Sequence, residues 1–256
     1  MRKRKEKKGL FFFLLAFVAL LPVLYMVAVS FAGEGGFSLL GYYKVLLERP
    51  DYLEKFWRSI GLSLVIACGQ VLVSCMAGAA FGKYRFVGKN FWFVLLALFM
   101  ILPVQVTLVP NYILLERLHL LNSWKALIIP GIFAPFGTIW MTFIFRTLPP
   151  EWLEAASLDG AGKLEGIFRI LVPAAKPAVI TLFVLSFVDS WNMVEQPITF
   201  LKGTEQYPLS VFLASVVETS RPIQAVCGIL CLLPVTFLFF YYNEELVEGI
   251  GDAFWS

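Results

Sequence analysis

A chain of 256 residues that is 59% hydrophobic and 15% charged, with a mean hydropathy of +0.78, belongs in a bilayer rather than in water. The single histidine, His119, and the scattered acids offer no metal or hydrolase constellation, and nothing points to nucleic acid. Cys68 with Cys75, and Cys227 with Cys231, share helix faces in apolar surroundings, so they read as small packing residues rather than disulfides or zinc ligands.

In chain order, Arg2-Lys3-Arg4-Lys5-Glu6-Lys7-Lys8 is followed by an apolar run from about Leu10 to Phe31. A basic start before an apolar run can be a cleaved signal. The run's length and the bulky residues after Pro22 favour a first span, with residues 1–9 as a basic cytoplasmic N-terminus. Residues 32–58 read as an extracytoplasmic loop with a short surface helix at 42–47. Span two is expected over about 60–81 and span three over about 91–115, interrupted by Pro103 and Pro110. Span four covers about 126–145 and contains Pro130 and Pro135. Span five runs over about 178–194, and a mixed Pro/Gly segment separates it from span six at about 225–242. Residues 244–256 form a short acidic tail. Each run approaches the roughly 20 residues needed to cross a bilayer, so residues 10–243 are expected to form an all-α polytopic domain with six transmembrane helices.

One of the few long polar-bearing segments is the loop at about 146–177. Pro149 and Pro150 cannot continue a helix but suit the first turn of a new one. Glu151 and Glu154 then fall near its positive end. Ala155 and Ala156 favour helix and permit close approach. Gly160 can take the left-handed conformation that ends a helix, and a second short helix from about Lys163 to Ile170 is expected to stop at Pro173.

This pattern resembles the EAA loop of ABC importer permeases, whose form is E-A-A, three residues, G, nine residues, then I-x-L-P. Glu154-Ala155-Ala156, Gly160, Ile170 and Pro173 stand at the family spacing, with Val172 in place of the usual Leu. The resemblance implies a type I ABC importer permease fold. It also implies that Glu154, Ala155, Ala156, Asp159, Gly160, Ile170 and Pro173 dock on an ATP-hydrolysing subunit. Gln105–Pro110, Leu127–Gly131, Phe145–Pro149, Leu185-Ser186-Phe187 and Trp191-Asn192 are similar to the maltose-type (MalG-like) carbohydrate branch. Met193 follows where that branch commonly carries Asp or Glu, and Arg58-Ser59 replaces the usual Asn-Ser.

With the N-terminus inside, 13 of the 21 basic residues fall on the cytoplasmic side, which places both termini and the Glu154 loop there, in the cell (inner) membrane. In span five, Asp189, Trp191, Asn192 and Gln196 could line the solute route, since Trp stacks on sugar rings and amides bond hydroxyls. Alternatively Trp191 belongs to the interfacial belt and Asn192 bonds a neighbouring helix. Gln105, Thr107 and Asn111 read as repairing backbone bonds broken by proline.

No G-x-x-x-x-G-K-[ST] motif occurs. The chain is therefore read as a transport subunit and not an enzyme, binding no cofactor. ATP and Mg are expected on two separate ATPase subunits. The resemblance adds a second homologous permease and an extracytoplasmic solute-binding protein, with a sugar or oligosaccharide as cargo. An importer for a polyamine, peptide or phosphonate, a secondary transporter, and a membrane scaffold are the alternatives.

Overall fold

The structure, a computed structural model, describes residues 2–33, 36–48, 50–215 and 220–255. Met1 and Ser256, at the ends of the two terminal segments, lie outside the described residues. The chain is almost entirely helical and divides into two compact units. Residues 1–56 and 212–233 make the first, and residues 57–211 and 234–256 the second.

In the first unit, α1 (Arg2–Ser30) leads into a two-stranded hairpin of β1 (Ala32–Gly33) and β2 (Gly36–Phe37), with Ala32 opposite Phe37. The short helix α2 (Leu40–Tyr43) continues as a π turn over Lys44–Glu48, covering the surface helix expected at 42–47. Phe31 stacks on Phe37 with ring centres 5.0 Å apart, and the Ser30 and Tyr42 hydroxyls are 2.9 Å apart. The Tyr52 hydroxyl donates to the Cys227 carbonyl at 2.9 Å. Tyr52 lies on α3 (Pro50–Lys83), which begins about ten residues before the span read from the sequence. Pro50 opens that helix and Asp51 occupies its first turn, so residues expected in the loop are helical.

The second unit holds α4 (Lys89–Ile101), α5 (Val104–Arg117), α6 (Lys125–Ile132), α7 (Pro135–Thr147) and α8 (Glu151–Leu158). α9 (Lys163–Gly166), a π turn (Ile167–Leu171) and α10 (Val172–Ala174) follow, then α11 (Lys176–Trp191) and α12 (Glu195–Phe200). Helix α13 (Leu209–Ser215) begins in the second unit, and the last part of α14 (Arg221–Tyr241) and α15 (Asn243–Trp255) close it.

All six apolar runs fall on helix. Among the described residues, 51–83, 125–147 and 221–241 are each long and apolar enough to cross a bilayer alone. Two more candidates are bent pairs, α4 with α5 at 109° and Lys163–Ala174 with α11 at 89°, while Phe17–Ser30 is a shorter apolar helix. The run expected as span three is thus two helices rather than one. Leu102, just before Pro103, is extended (φ −65°, ψ 130°), because the proline ring excludes the helical region for its predecessor. Ala134 before Pro135 and Leu148 before Pro149 break helices in the same way.

Two packed layers organise the second unit. One gathers Cys75, Ala79, Met141, Ile144, Phe145, Ile167, Leu171, Ala178 and Leu182 from α3, α7, the π turn and α11. The other gathers Leu62, Ile66, Leu115, Ala126, Leu127, Phe200 and Leu201. α3 and α7 approach closely at Gly78, where an added Cβ would lie 2.6 Å from Met141 Cβ and 2.9 Å from its carbonyl carbon. The acidic end of the chain is not a free tail. α15 packs along α11, with the Thr181 hydroxyl donating to the Glu245 carbonyl at 3.2 Å and Leu246 buried.

Candidate coupling loop and solute pathway

Helix α8 begins after Pro149-Pro150 with Glu151 and Glu154 in its first turn and no buried residue. It ends in a Schellman motif. Gly160 has φ +86°, its N–H donates to the Ser157 carbonyl at 3.2 Å, and the Ala161 N–H donates to the Ala156 carbonyl at 2.9 Å. Nothing would lie within 4 Å of a Cβ on Gly160, so the glycine is required by its backbone angle and not by crowding.

The returning helix starts at Lys163 and packs on α8 through Gly166, where a Cβ would meet the Leu153 side chain at 3.0 Å. Pro173 does not stop it, contrary to expectation. The backbone widens into a π turn over Ile167–Leu171, and the Val172 N–H donates to the carbonyl of Ile167. That wider register displaces the carbonyl that a proline ring would strike in an α-helix, so the helix continues to Ala174. The bend comes at Ala175 (φ −105°, ψ 25°), just before Lys176-Pro177.

Glu154, Ala155, Asp159, Gly160 and Pro173 are exposed, while Ala156 and Ile170 are half-buried. Around them Leu158 is 90% exposed, with Trp152 and Leu164 also exposed. Ile167 and Leu171, on the other side of the same loop, are buried in the core shared by α3, α7 and α11. The loop therefore offers an outward face of carboxylates (Glu151, Glu154 and Asp159), small residues and bare apolar side chains, and roots its other face in the helices.

Several anchors at this end escaped the sequence reading. The Lys83 ammonium donates to the Leu148 carbonyl, closing the end of α7. Lys163 lies over the Tyr84 ring at 5.7 Å, and Arg146 over Phe93 at 4.9 Å. Gly78 and Gly82, four apart on α3, meet Met141, Thr142 and Phe145 of α7. The small-xxx-small spacing of Gly78-Ala79-Ala80-Phe81-Gly82 was the available signal.

The far end of α3 is held by polar contacts. The Ser59 hydroxyl accepts from the Leu209 N–H at 2.7 Å, and the Ser210 hydroxyl donates to the Met193 carbonyl at 2.6 Å. The Asn122 N–H donates to the Phe200 carbonyl at 3.0 Å, while the Asn122 side chain accepts from the Lys202 N–H at 2.9 Å. Ser59 and Lys83 are separated by about 36 Å of helix, enough to cross a hydrocarbon layer of about 30 Å.

Near this far end, Asp189 and Asn192 are exposed on the second half of α11 and the turn after it, and Gln196 is half-buried on α12. Trp191 is 3% exposed and stacks on Phe187 at 5.9 Å. The Asn192 amide donates to the Val188 carbonyl at 2.8 Å, within its own helix turn. Gln105 donates to the Glu195 carboxylate at 2.7 Å, which ties α5 to α12. The Thr107 hydroxyl donates to the Val104 carbonyl at 2.9 Å, within the first turn of its own helix. Among the described residues there is no group of three or more His, Cys, Asp or Glu able to hold a metal ion.

The family model for the binding-protein-dependent transport system inner membrane component matches residues 70–248. This chain belongs to that family. It is 26% identical to the arabinooligosaccharides transport system permease protein AraQ of Halalkalibacterium halodurans, over 93% of this chain and 92% of that protein. It is 30% identical to the sn-glycerol-3-phosphate transport system permease protein UgpE of Yersinia pestis, over 76% of this chain and 71% of the relative. A chain from the crystal structure of a bacterial ABC transporter that imports the acidic polysaccharide alginate matches with a TM-score of 0.83 at 20% identity, covering 95% of this chain and 96% of that one. The fold is that of a type I importer permease. The chain is an inner membrane transport component with several apolar helices.

Proposed function

We propose that this chain forms half of the translocation pathway of an ATP-binding cassette importer for a sugar or oligosaccharide. Residues 151–174 are read as its coupling element. The observation that carries this reading is the two-faced loop, exposed at Glu154, Ala155 and Leu158 and rooted in the core by Ile167 and Leu171. An ATPase groove that holds the outer face moves the inner face, and with it the feet of α3, α7 and α11. Binding that favours one arrangement of those helices shifts the pathway between inward-open and outward-open states.

ATP and Mg would bind the two separate ATPase chains. The solute would arrive from an extracytoplasmic binding protein, and a second homologous permease would supply the other half. Lys83, Lys89, Arg146 and Lys163 gather at the loop end, which supports placing that end and both termini in the cytoplasm. In this arrangement residues 1–9 are the basic cytoplasmic N-terminus, the spans lie within 10–243, and 244–256 return to the cytoplasmic side. Glu154, Ala155, Ala156, Asp159 and Gly160 form the docking helix and its cap, while Ile170 and Pro173 shape the return. Asp189, Asn192 and Gln196 offer polar groups to a solute, with Trp191 packed behind them.

AraQ is named for arabinooligosaccharides, and the solved transporter imports a polysaccharide. UgpE is named for sn-glycerol-3-phosphate, which favours a phosphorylated polyol as the second reading. Co-purification with the ATPase subunits and uptake of labelled solute test the proposal. Glu154→Lys should lower both, because it turns an attractive interface charge into a repulsive one, while Glu151→Ala should change them little. Wild-type docking and uptake in Glu154→Lys would remove the loop from the coupling role. Uptake of glycerol 3-phosphate but of no oligosaccharide would select the second reading.

A further inference from the structure

On the flank of the second unit an apolar groove of about 420 Å³ runs between α3, the coupling loop and α11, lined by Leu72, Cys75, Phe168, Val172, Ile180 and Phe183. Apart from Tyr242 and the thiols of Cys68 and Cys75, its lining is wholly hydrocarbon and offers little for a sugar hydroxyl to bond. An alkyl chain suits it. At the loop end, Lys176 is exposed and holds no ion pair or side-chain hydrogen bond among the described residues. Val179, Ile180 and Phe183 follow Lys176 at the i+3, i+4 and i+7 positions of α11, so the ammonium shares the face that borders the groove. Lys176 also sits at the positive end of that helix, which adds to the attraction for an anion. The nearby Arg169 is already engaged by Glu165.

We propose that the groove holds an acyl chain of an anionic phospholipid whose headgroup is bound by Lys176. Only the choice of the cytoplasmic leaflet, where anionic lipids concentrate, rests on the orientation given above. A phospholipid seated here touches α3, the π turn and α11 together, so it occupies the joint through which the coupling loop meets the helices.

The test is native mass spectrometry of the assembled transporter after exchange into equimolar phosphatidylglycerol and phosphatidylcholine of the same chain length. The wild type should retain phosphatidylglycerol about fivefold over phosphatidylcholine, the preference expected from one well-placed lysine. Lys176→Ala should abolish the preference and Lys176→Arg should keep it. Ile180→Trp, which fills the groove, should reduce retention of both lipids. Should Ile180→Trp fail to assemble, the exposed Lys176 variants decide the matter alone. Equal retention of the two lipids by the wild type, or an unchanged preference in Lys176→Ala, would overturn the proposal. So would efficient crosslinking from the exposed Cys68 at the groove wall to the second permease, since a protein helix would then fill the space. Lipid preference is read independently of ATPase docking, so loss of one leaves the other standing.

Discussion

Gly160 offers the cleanest perturbation of the proposed coupling loop, because its requirement is purely conformational. Its φ of +86° lies where a side chain clashes with its own backbone, and no neighbour would touch an added Cβ. Gly160→Val must therefore either hold a left-handed β-branched residue, at about 1–2 kcal/mol, or give up the two bonds that close the Schellman turn. The population with α8 correctly presented should fall by a factor of about 5–30. Gly160→Asn should retain most function, since asparagine visits the left-handed region with less strain. Gly162 is the internal control. It is extended at φ −70°, ψ 163° with open space around it, so Gly162→Ala should behave as wild type. The assay is solute uptake and ATPase co-purification at matched membrane expression. Normal coupling in Gly160→Val, or equal damage from Val and Asn, would refute the conformational argument.

Other positions test the packing around the loop. Gly78→Leu would drive a side chain into the Met141 backbone and should cost more than the 1–3 kcal/mol typical of overpacking, read as a lower unfolding temperature in detergent. Gly61→Ala on the same helix meets open space and should raise stability by about 0.4–1 kcal/mol in the same measurement. His119 sits at φ +55° in a second Schellman motif, with its N–H on the Glu116 carbonyl and the Leu120 N–H on that of Leu115. His119→Gly should therefore stabilise the chain by up to about 1 kcal/mol, and a loss of stability would mean that the imidazole has a structural task.

What could be read from the sequence was what is decided locally. Two prolines, two glutamates, two alanines and one glycine fix the start, register and end of α8 within twelve residues, and each acts through a short-range rule. Proline was less legible. The extended bias of a pre-proline residue breaks the chain at Leu102, Ala134 and Leu148, yet Pro110 and Pro130 remain inside helices. Which outcome prevails depends on whether neighbouring helices hold the turn together, and that lies outside any local window. The π turn ahead of Pro173 is the sharpest case, since a widened backbone cancels the stop signal. The candidate solute site was legible as a set of residue types but not as directions. Aromatic and amide side chains at 191 and 192 suit both a solute route and helix packing, and only the burial of Trp191 against Phe187 separates its side chain from the exposed Asp189 and Asn192. The acidic end reads as solvated by composition, but Gly249 lets α15 come so close to α11 that a Cβ would lie 2.7 Å from the Pro177 carbonyl oxygen.

The contact at Gly249 bears on how the loop can act. A lever moves helices only if its inner end is fixed more firmly to them than its outer end is to its own surroundings. α8 buries no residue, so little in this chain opposes its displacement. Ile167 and Leu171 are buried among Ala79, Met141, Phe145 and Leu182, and the foot of α11 is clasped from another side by α15 through Thr181. Between these parts stands the 89° bend at Ala175, where a single residue leaves the helical region and Pro177 offers no N–H to close the next turn. A pull on α8 would therefore reach α3, α7 and α11 through packed side chains, and α11 also through the bend. The first route transmits translation, because close-packed side chains yield little, and the second permits rotation about the joint. A helix bundle that must tilt around a pathway without losing its core needs both.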